Sequence, residues 1–153
     1  IARGEPYAWR LDVARALERT GPLAWYDVRA GWVEVDAAAL GDVVLARKDV
    51  PASYHLAVVV DDAAQGVTLV TRGEDLFHAT HVHRLLQALL GLPVPRWYHH
   101  NLIGDRDGRR MAKRTGALTL RHLRARGLGP AEIWRMLEAA TAVTPMCAAS
   151  AGS

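Results

Sequence analysis

A dense group of polar residues follows a short apolar segment near the middle of the chain. Residues 67–70 read VTLV, and they lead through a threonine into Arg72, Gly73, Glu74 and Asp75. In open α/β sheets, ligands bind beyond the carboxyl ends of the strands. An arginine matches a carboxylate at two points, and a carboxylate accepts hydrogen bonds from ribose hydroxyls. This stretch therefore predicts a site for a nucleotide and an amino-acid substrate.

The charge of the chain is unevenly distributed. The formal net charge is only +3, but residues 96–126 contain nine basic residues against two acidic ones. A concentrated basic stretch favours a polyanionic partner, either a nucleotide or RNA. On composition alone, a solvated face of surface arginines explains the same pattern equally well.

Length and composition limit the class of protein. The 153 residues suffice for one domain or for a piece of a larger one, and the first residue is not methionine, as expected inside a longer chain. A single cysteine, Cys147, excludes a disulfide framework and a cysteine-rich zinc site within the chain. No apolar run approaches the roughly 20 residues that span a bilayer, and the N-terminus lacks a signal-peptide pattern. We expect a cytoplasmic protein without a membrane partner.

The first half of the chain predicts several short elements before the polar group. Residues 9–17 fit a strand that leads into a helix, and residues 24–35 fit a hairpin of WYDV and WVEV, with the tryptophans in the core. Residues 41–49 predict a further strand, and Ser53 is a suitable helix cap. Periodicity does not decide whether residues 56–60 are helix or buried strand.

The second half predicts a strand, helix and strand followed by two helices. Residues 67–71 are rich in β-branched side chains, which favours a buried parallel strand. Residues 79–90 carry a helical apolar stripe that Gly91 and Pro93 end. The remaining expectations are a strand at 97–103, a turn at 105–108, helices at 119–126 and 130–140, and a frayed tail from residue 141.

Several ordered motifs together resemble a known family. YHLAVVVDDAAQGVTLVTRGEDL is followed in order by LLQALLGLPVP, DGRRMAKR and GLGPAEI. Across residues 41–137 this series resembles the glutamyl-tRNA synthetase branch of class I aminoacyl-tRNA synthetases. Within that branch it is most similar to the glutamyl-Q tRNA(Asp) subfamily, which has no anticodon-binding domain. The resemblance implies an α/β fold, namely the second half of a class I synthetase Rossmann-like nucleotide-binding core followed by a small helical C-terminal region, and it implies helix at 56–60.

The resemblance also implies roles for the central polar residues. Tyr54 and Arg72 correspond to residues that contact L-glutamate. Gly73 and Asp75 match the family's pattern of glycine, any residue and aspartate, which implies contacts with the ribose of ATP or the adenylate. Outside this motif, a buried tyrosine and a local ion pair of the arginine would be the default interpretations.

The pentapeptide Arg110, Met111, Ala112, Lys113 and Arg114 resembles the KMSKS loop of the same family. Aminoacyl transfer to AMP builds negative charge on the departing pyrophosphate, which cationic side chains on a loop stabilise. Lys113 matches the lysine expected at ATP, Arg110 keeps the charge of the first lysine, and Met111 would anchor the loop. Ala112, which lacks a hydroxyl, and Arg114 depart from the pattern, and a plain basic turn is the alternative.

Seven histidines raise the question of a metal site, but no thiolates accompany them. We expect no metal on this chain, since His81 and His83 at i and i+2 of a helix point to different faces. By resemblance, ATP is the co-substrate, with magnesium. Zinc is expected only on cysteines of an N-terminal half that these residues do not include.

The resemblance divides the chain into three segments. Residues 1–40 correspond to the tail of an insertion within the catalytic core, residues 41–104 to the second half of the Rossmann-like domain, and residues 105–153 to the KMSKS-like loop and C-terminal helices. The HIGH loop that grips ATP precedes all of them in the family. This piece alone is therefore expected to be inactive, with the missing N-terminal half on the same chain or on a separate complementing polypeptide.

The implied function is activation of L-glutamate with ATP and its transfer to tRNA, chiefly to the queuosine base of tRNA(Asp). A truncated glutamyl-tRNA synthetase is the first alternative. An alternative of another class is a non-catalytic nucleotide- or RNA-binding module that keeps the half-fold without the reaction.

Overall fold

Two separate sheets organise the first unit of the fold. A computed structural model describes residues 7–36, 41–103 and 119–142. The chain divides into two compact units, Ile1–His100 and Asn101–Ser153. In the first unit the elements are β1 (Ala8–Leu11), α1 (Val13–Thr20), β2 (Ala24–Asp27), β3 (Gly31–Glu34), β4 (Val43–Arg47), α2 (Tyr54–Ala64), β5 (Leu69–Gly73), a single 3-10 turn (Glu74–Leu76), α3 (Ala79–Leu90) and β6 (Arg96–His100).

The larger sheet contains four strands in the order β3-β2-β6-β5. The β2–β3 hairpin is antiparallel, whereas β6 runs parallel to both β2 and β5. Strand β5, helix α3 and strand β6 therefore form the predicted βαβ unit. The smaller sheet pairs β1 with β4 in antiparallel register.

Burial alternates along the two central strands of the larger sheet. Trp25 and Asp27 of β2 are buried, as are Trp97 and His99 of β6, while the residues between them are more exposed. Since successive side chains of a strand point to opposite faces, one face of the sheet carries all four buried side chains. That face therefore combines two tryptophans with a carboxylate and an imidazole.

Helix α2 begins where the sequence predicts, and helix α3 has the predicted bounds. Ser53 accepts a hydrogen bond from the backbone N–H of Leu56 and caps α2, which confirms the helix at 56–60. Helix α3 ends at Gly91, whose φ of 65° lies in the left-handed region that favours glycine. The apolar core joins α1, β4, α2 and α3 through Val13, Ala16, Val43, Val59, Val82, Leu85 and Leu86.

The strand that precedes the polar group differs from the prediction in two ways. It spans Leu69–Gly73 rather than residues 67–71, so Arg72 and Gly73 belong to the strand itself. It is also not fully buried, since Leu69 is 41% exposed. The reason is its place in the sheet, because among the described strands β5 pairs with β6 alone.

The prediction that the N-terminal tryptophans lie in the core is correct only for Trp25. Trp9 and Trp32 are 58% and 75% exposed. Trp32 lies on the outer strand of the hairpin and contacts Tyr26 edge to face, with ring centroids 5.5 Å apart. Its strand has a neighbour on one side only among the described elements, which leaves its indole at the surface.

The second unit contains the two expected helices, α4 (Leu120–Ala125) and α5 (Pro130–Ala142). Thr119 caps α4 by accepting from the backbone N–H of His122 at 3.2 Å. The turn predicted at 105–108 and the tail beyond residue 142 lie outside the described residues. None of the helices in the described ranges is long and apolar enough to cross a bilayer.

Candidate functional site

The Arg72 side chain is held by three neutral hydrogen-bond acceptors. Its Nε donates to Nε2 of His99 at 3.1 Å, its Nη1 to Nδ1 of His83 at 3.2 Å, and its Nη2 to the hydroxyl of Thr80. Arg72 and His99 are direct neighbours in the parallel register of β5 and β6, whereas Thr80 and His83 come from α3. One strand pair and the helix of the crossover thus define the orientation of one guanidinium.

His99 is fixed from its other side by Asp27. Nδ1 of His99 lies 2.7 Å from Oδ2 of Asp27, and both side chains are almost completely buried. Burial alone would raise the pKa of Asp27, but hydrogen bonds from the backbone N–H groups of Ala30 and Arg29 and from His99 hold that pKa below its ordinary value. An ionised carboxylate only accepts hydrogen bonds, so Nδ1 of His99 carries the proton.

His83 extends the cluster toward His55. Because Nδ1 of His83 accepts from Arg72, its Nε2 carries the proton and donates to Nδ1 of His55 at 3.0 Å. Burial lowers the pKa of His83 to about 3, and the charge of Arg72 contributes in the same direction. Burial likewise lowers the pKa of His55 and His99. The imidazoles around Arg72 are therefore neutral acceptors at neutral pH.

Tyr54 and Asp75 lie within electrostatic range of the same guanidinium. Burial lowers the pKa of Arg72, whereas the Tyr54 hydroxyl, through charge and hydrogen bonding, and the carboxylates of Asp62 and Asp75 act in the opposite direction. Across the part of the chain that the structure describes, no carboxylate forms a salt bridge with Arg72. No described carboxylate at contact distance therefore neutralises the positive charge of Arg72.

Gly73 closes β5 and precedes the 3-10 turn that contains Glu74 and Asp75. Its φ of −68° and ψ of 148° describe ordinary extended backbone that any residue adopts. Conformational freedom therefore does not explain a glycine here. What the glycine offers is the absence of a side chain, which allows a close approach to the backbone.

An open cavity of about 610 Å³ adjoins this cluster. Its walls come from β4, the segment before α2, the first turn of α2, and α3, and they include Tyr54 and His55. Tyr54 therefore contributes both to this cavity and to the surroundings of Arg72. A small molecule that enters the cavity would meet Tyr54 and His55.

The structure brings together three of the residues that the sequence assigns to substrates, namely Tyr54, Arg72 and Asp75, with Gly73 beside them. Arg110, Met111, Ala112, Lys113 and Arg114, which resemble the KMSKS loop, all lie outside the described residues. Within the described ranges, no three histidine, cysteine or acidic residues are grouped so that they could hold a metal ion.

Sequence reasoning missed the residues that hold Arg72, which are Asp27, Thr80, His83 and His99. A usable signal was present for Asp27, because it follows Trp25 by two positions in a predicted strand and shares its face. A carboxylate on a buried face requires hydrogen-bond partners. No comparable signal was available for Thr80 and His83, since their role depends on how α3 packs beside the sheet.

Comparison with known families shows the family of this chain. Residues 2–142 match the family described as class I tRNA synthetases for E and Q, catalytic domain. The chain belongs to this family. The α/β class I synthetase fold implied by the motifs is thereby confirmed.

Individual relatives of this class I synthetase chain agree with the family assignment. A glutamyl-Q tRNA(Asp) synthetase of Rhodobacter capsulatus is 53% identical over 133 residues, which cover 84% of this chain and 47% of the relative. One of Leptothrix cholodnii is 49% identical over 112 residues, covering 72% of this chain and 37% of the relative. A glutamate–tRNA ligase 2 of Methylorubrum populi is 42% identical over 132 residues, which cover 86% of this chain and 28% of the relative.

A solved structure supports the same fold. A glutamate tRNA ligase from Elizabethkingia meningosepticum, in complex with its amino acid, superimposes with a TM-score of 0.53 at 25% identity. The match covers 83% of this chain and 30% of that structure. The chain spans about half the length of the Rhodobacter relative and less of the other proteins named here.

Proposed function

We propose that the intact protein activates L-glutamate with ATP and transfers it to tRNA, with the queuosine base of tRNA(Asp) as the acceptor. The observation that carries this proposal is the Arg72 guanidinium, held by three neutral acceptors and accompanied by Tyr54 at the carboxyl end of β5. A charged, oriented fork of this kind favours a carboxylate over a neutral amide.

The nucleotide contacts in this proposal come from Gly73, Asp75 and Lys113. Gly73 allows the backbone to approach ATP or the adenylate, and Asp75, exposed after the strand, accepts from the ribose. Lys113 stabilises the charge of the departing pyrophosphate. The roles of the two substrate-facing residues are clamping of the substrate carboxylate by Arg72 and a hydroxyl contact by Tyr54. Magnesium would accompany ATP and supply positive charge that offsets the charge of its phosphates.

The names of the relatives support the choice of acceptor. Two of the relatives described above are glutamyl-Q tRNA(Asp) synthetases, which favours tRNA(Asp). The similarity to a glutamate–tRNA ligase keeps glutamyl-tRNA synthetase as the alternative. Glutamate, ATP and tRNA are all cytoplasmic, so the cytoplasm is the proposed location. We also propose the three segments that the resemblance implies. These are the tail of the insertion (residues 1–40), the second half of the Rossmann-like domain (residues 41–104), and the KMSKS-like loop with the C-terminal helices (residues 105–153).

The test is glutamate- and ATP-dependent pyrophosphate exchange by the intact protein, with and without tRNA. Exchange without tRNA that falls by about a hundredfold or more in Arg72→Ala and Lys113→Ala supports the glutamyl-Q assignment and both site roles. Lys48→Ala, at the other lysine of the chain, is the matched control. Strict dependence on tRNA favours glutamyl-tRNA synthetase, and no exchange under any condition favours a non-catalytic module.

A further inference from the structure

His99 lies between a carboxylate and a guanidinium, and it contacts each through a different ring nitrogen. Nδ1 faces Asp27 at 2.7 Å, and Nε2 faces Nε of Arg72 at 3.1 Å. The three residues come from the neighbouring strands β2, β6 and β5. A continuous line of hydrogen bonds therefore crosses three strands and ends at Arg72.

Only one protonation state of His99 satisfies both contacts. The guanidinium of arginine has donors only, so Nε2 of His99 must present its lone pair. The carboxylate of Asp27 has acceptors only, so Nδ1 must carry the hydrogen. The opposite tautomer would place an N–H against the N–H of Arg72 and a lone pair against the carboxylate.

Asp27 is itself held in place by the backbone. Its Oδ1 accepts from the N–H groups of Arg29 at 2.8 Å and Ala30 at 2.9 Å, and its Oδ2 accepts from the N–H of His99 at 3.2 Å. The backbone of the hairpin turn and of β6 thus fixes the carboxylate independently of the His99 imidazole. Arg29 adds a second link from this turn to β6, since its Nη1 donates to the carbonyl of His99 at 2.9 Å.

We propose that Asp27 and His99 are positioning residues for Arg72, with Asp27 selecting the His99 tautomer whose Nε2 holds the Arg72 Nε–H. This inference rests on the proposed function in which Arg72 binds the carboxylate of glutamate. A bidentate contact requires the plane of the guanidinium to be set before the ligand arrives. The bond to Nε contributes to setting that plane while leaving the positive charge available.

Two substitutions at His99 separate this role from a purely structural one. His99→Gln places an amide oxygen near the position of Nε2 and retains an acceptor for Arg72, but it loses the bond to Asp27. His99→Asn places an amide N–H near the position of Nδ1 and retains the bond to Asp27, but it loses the acceptor. The same two substitutions at His100, which is exposed at the next position of β6, are the matched controls.

The first readout is pyrophosphate exchange by the intact protein. Positioning predicts that His99→Asn raises the KM for glutamate about ten- to a hundredfold, that His99→Gln raises it clearly less, and that the KM for ATP is unchanged in both. Equal effects of the two variants, or a larger effect of Gln than of Asn, would overturn the inference. Absence of exchange by the wild-type protein counts against the proposed function instead.

The second readout needs neither activity nor a variant that folds. Nitrogen-15 NMR of the histidine side chains distinguishes a protonated Nδ1 from a protonated Nε2. The inference predicts that His99 is the Nδ1-protonated tautomer and that the Arg72 Nε–H is protected from exchange with solvent. An Nε2-protonated His99, or an unprotected Arg72 Nε–H, contradicts the inference even when the proposed function holds.

Discussion

Arg72 on β5 donates a hydrogen bond from Nε to Nε2 of its cross-strand neighbour His99 on β6. The register of a parallel strand pair therefore sets the position of the side chain to which the family resemblance assigns glutamate binding. His83 and Thr80 of α3 complete the support. These three acceptors are neutral, so they hold the Arg72 guanidinium and leave its positive charge intact.

Arg72→Lys tests whether the fork of the guanidinium, rather than its charge, is required. Lysine keeps the charge but cannot donate simultaneously to His99, His83 and Thr80 in a fixed plane. We expect glutamate-dependent exchange to fall nearly as far as in Arg72→Ala. Arg96→Lys, at the exposed first position of β6, is the control and should retain wild-type activity. Near-normal kinetics of Arg72→Lys would mean that charge alone is sufficient.

Asp27→Ala should destabilise the fold strongly. The substitution leaves the buried backbone N–H and Nδ1–H of His99 without an acceptor, together with two part-buried backbone N–H groups. We expect a loss of about 3–5 kcal/mol in the free energy of unfolding. Asp49→Ala removes a carboxylate whose side chain is 72% exposed and should cost less than about 0.5 kcal/mol. Urea unfolding of the intact protein measures both, and similar losses for the two variants would refute the assigned role of Asp27.

Stability should decline as the pH falls below about 6.5, because of the buried histidines. Burial lowers the pKa of His83 from 6.5 to about 3. Between these values the unfolded state binds a proton at His83 that the native state does not, so the free energy of unfolding rises with pH. Each such proton contributes a slope of up to about 1.4 kcal/mol per pH unit.

His83→Asn provides the matched comparison for this pH dependence. Asparagine offers an acceptor near the position of Nδ1 for Arg72 but does not titrate. We expect a shallower slope of stability against pH between pH values of about 4 and 6. The same substitution at exposed His122 is the control. Urea unfolding at a series of pH values gives the slopes, and identical slopes for wild type and His83→Asn would contradict the account.

Two glycines should respond differently to alanine. Gly73 has φ −68°, so Gly73→Ala should change stability by less than about 0.5 kcal/mol while raising the KM for ATP. Gly91 has φ 65°, so Gly91→Ala should cost roughly 1–2 kcal/mol and leave the KM for ATP unchanged. An unchanged KM for ATP in Gly73→Ala would show that no nucleotide approaches this backbone closely.

Local signals in the sequence were sufficient to predict most elements of the fold. The stripe of apolar residues and Gly91 predicted α3 at 79–90, and the structure places it at Ala79–Leu90. Ser53 predicted the start of α2, but only the family resemblance decided between helix and strand for the apolar run after it. Hydrophobic periodicity does not distinguish helix from strand in this run, because a short apolar run fits both structures.

The support of Arg72 could not be predicted in the same way. Tyr54 and Arg72 were singled out because the surrounding motif resembled a family. Asp27, Thr80, His83 and His99 come from segments far apart in sequence, and only the strand order and the packing of α3 bring them together. In the sequence, His99 is only one of seven histidines, and its burial follows from its alternation with Trp97 in β6.

The proposal that queuosine accepts the glutamate is tested most directly by transfer of labelled glutamate to tRNA(Asp) by the intact protein. The substrates are queuosine-containing tRNA(Asp) without its 3′-terminal adenosine, and the same tRNA without queuosine but with an intact 3′ end. Transfer to the queuosine base predicts label on the first tRNA and none on the second. Label that appears only on the tRNA with an intact 3′ end, or on neither tRNA, would contradict it.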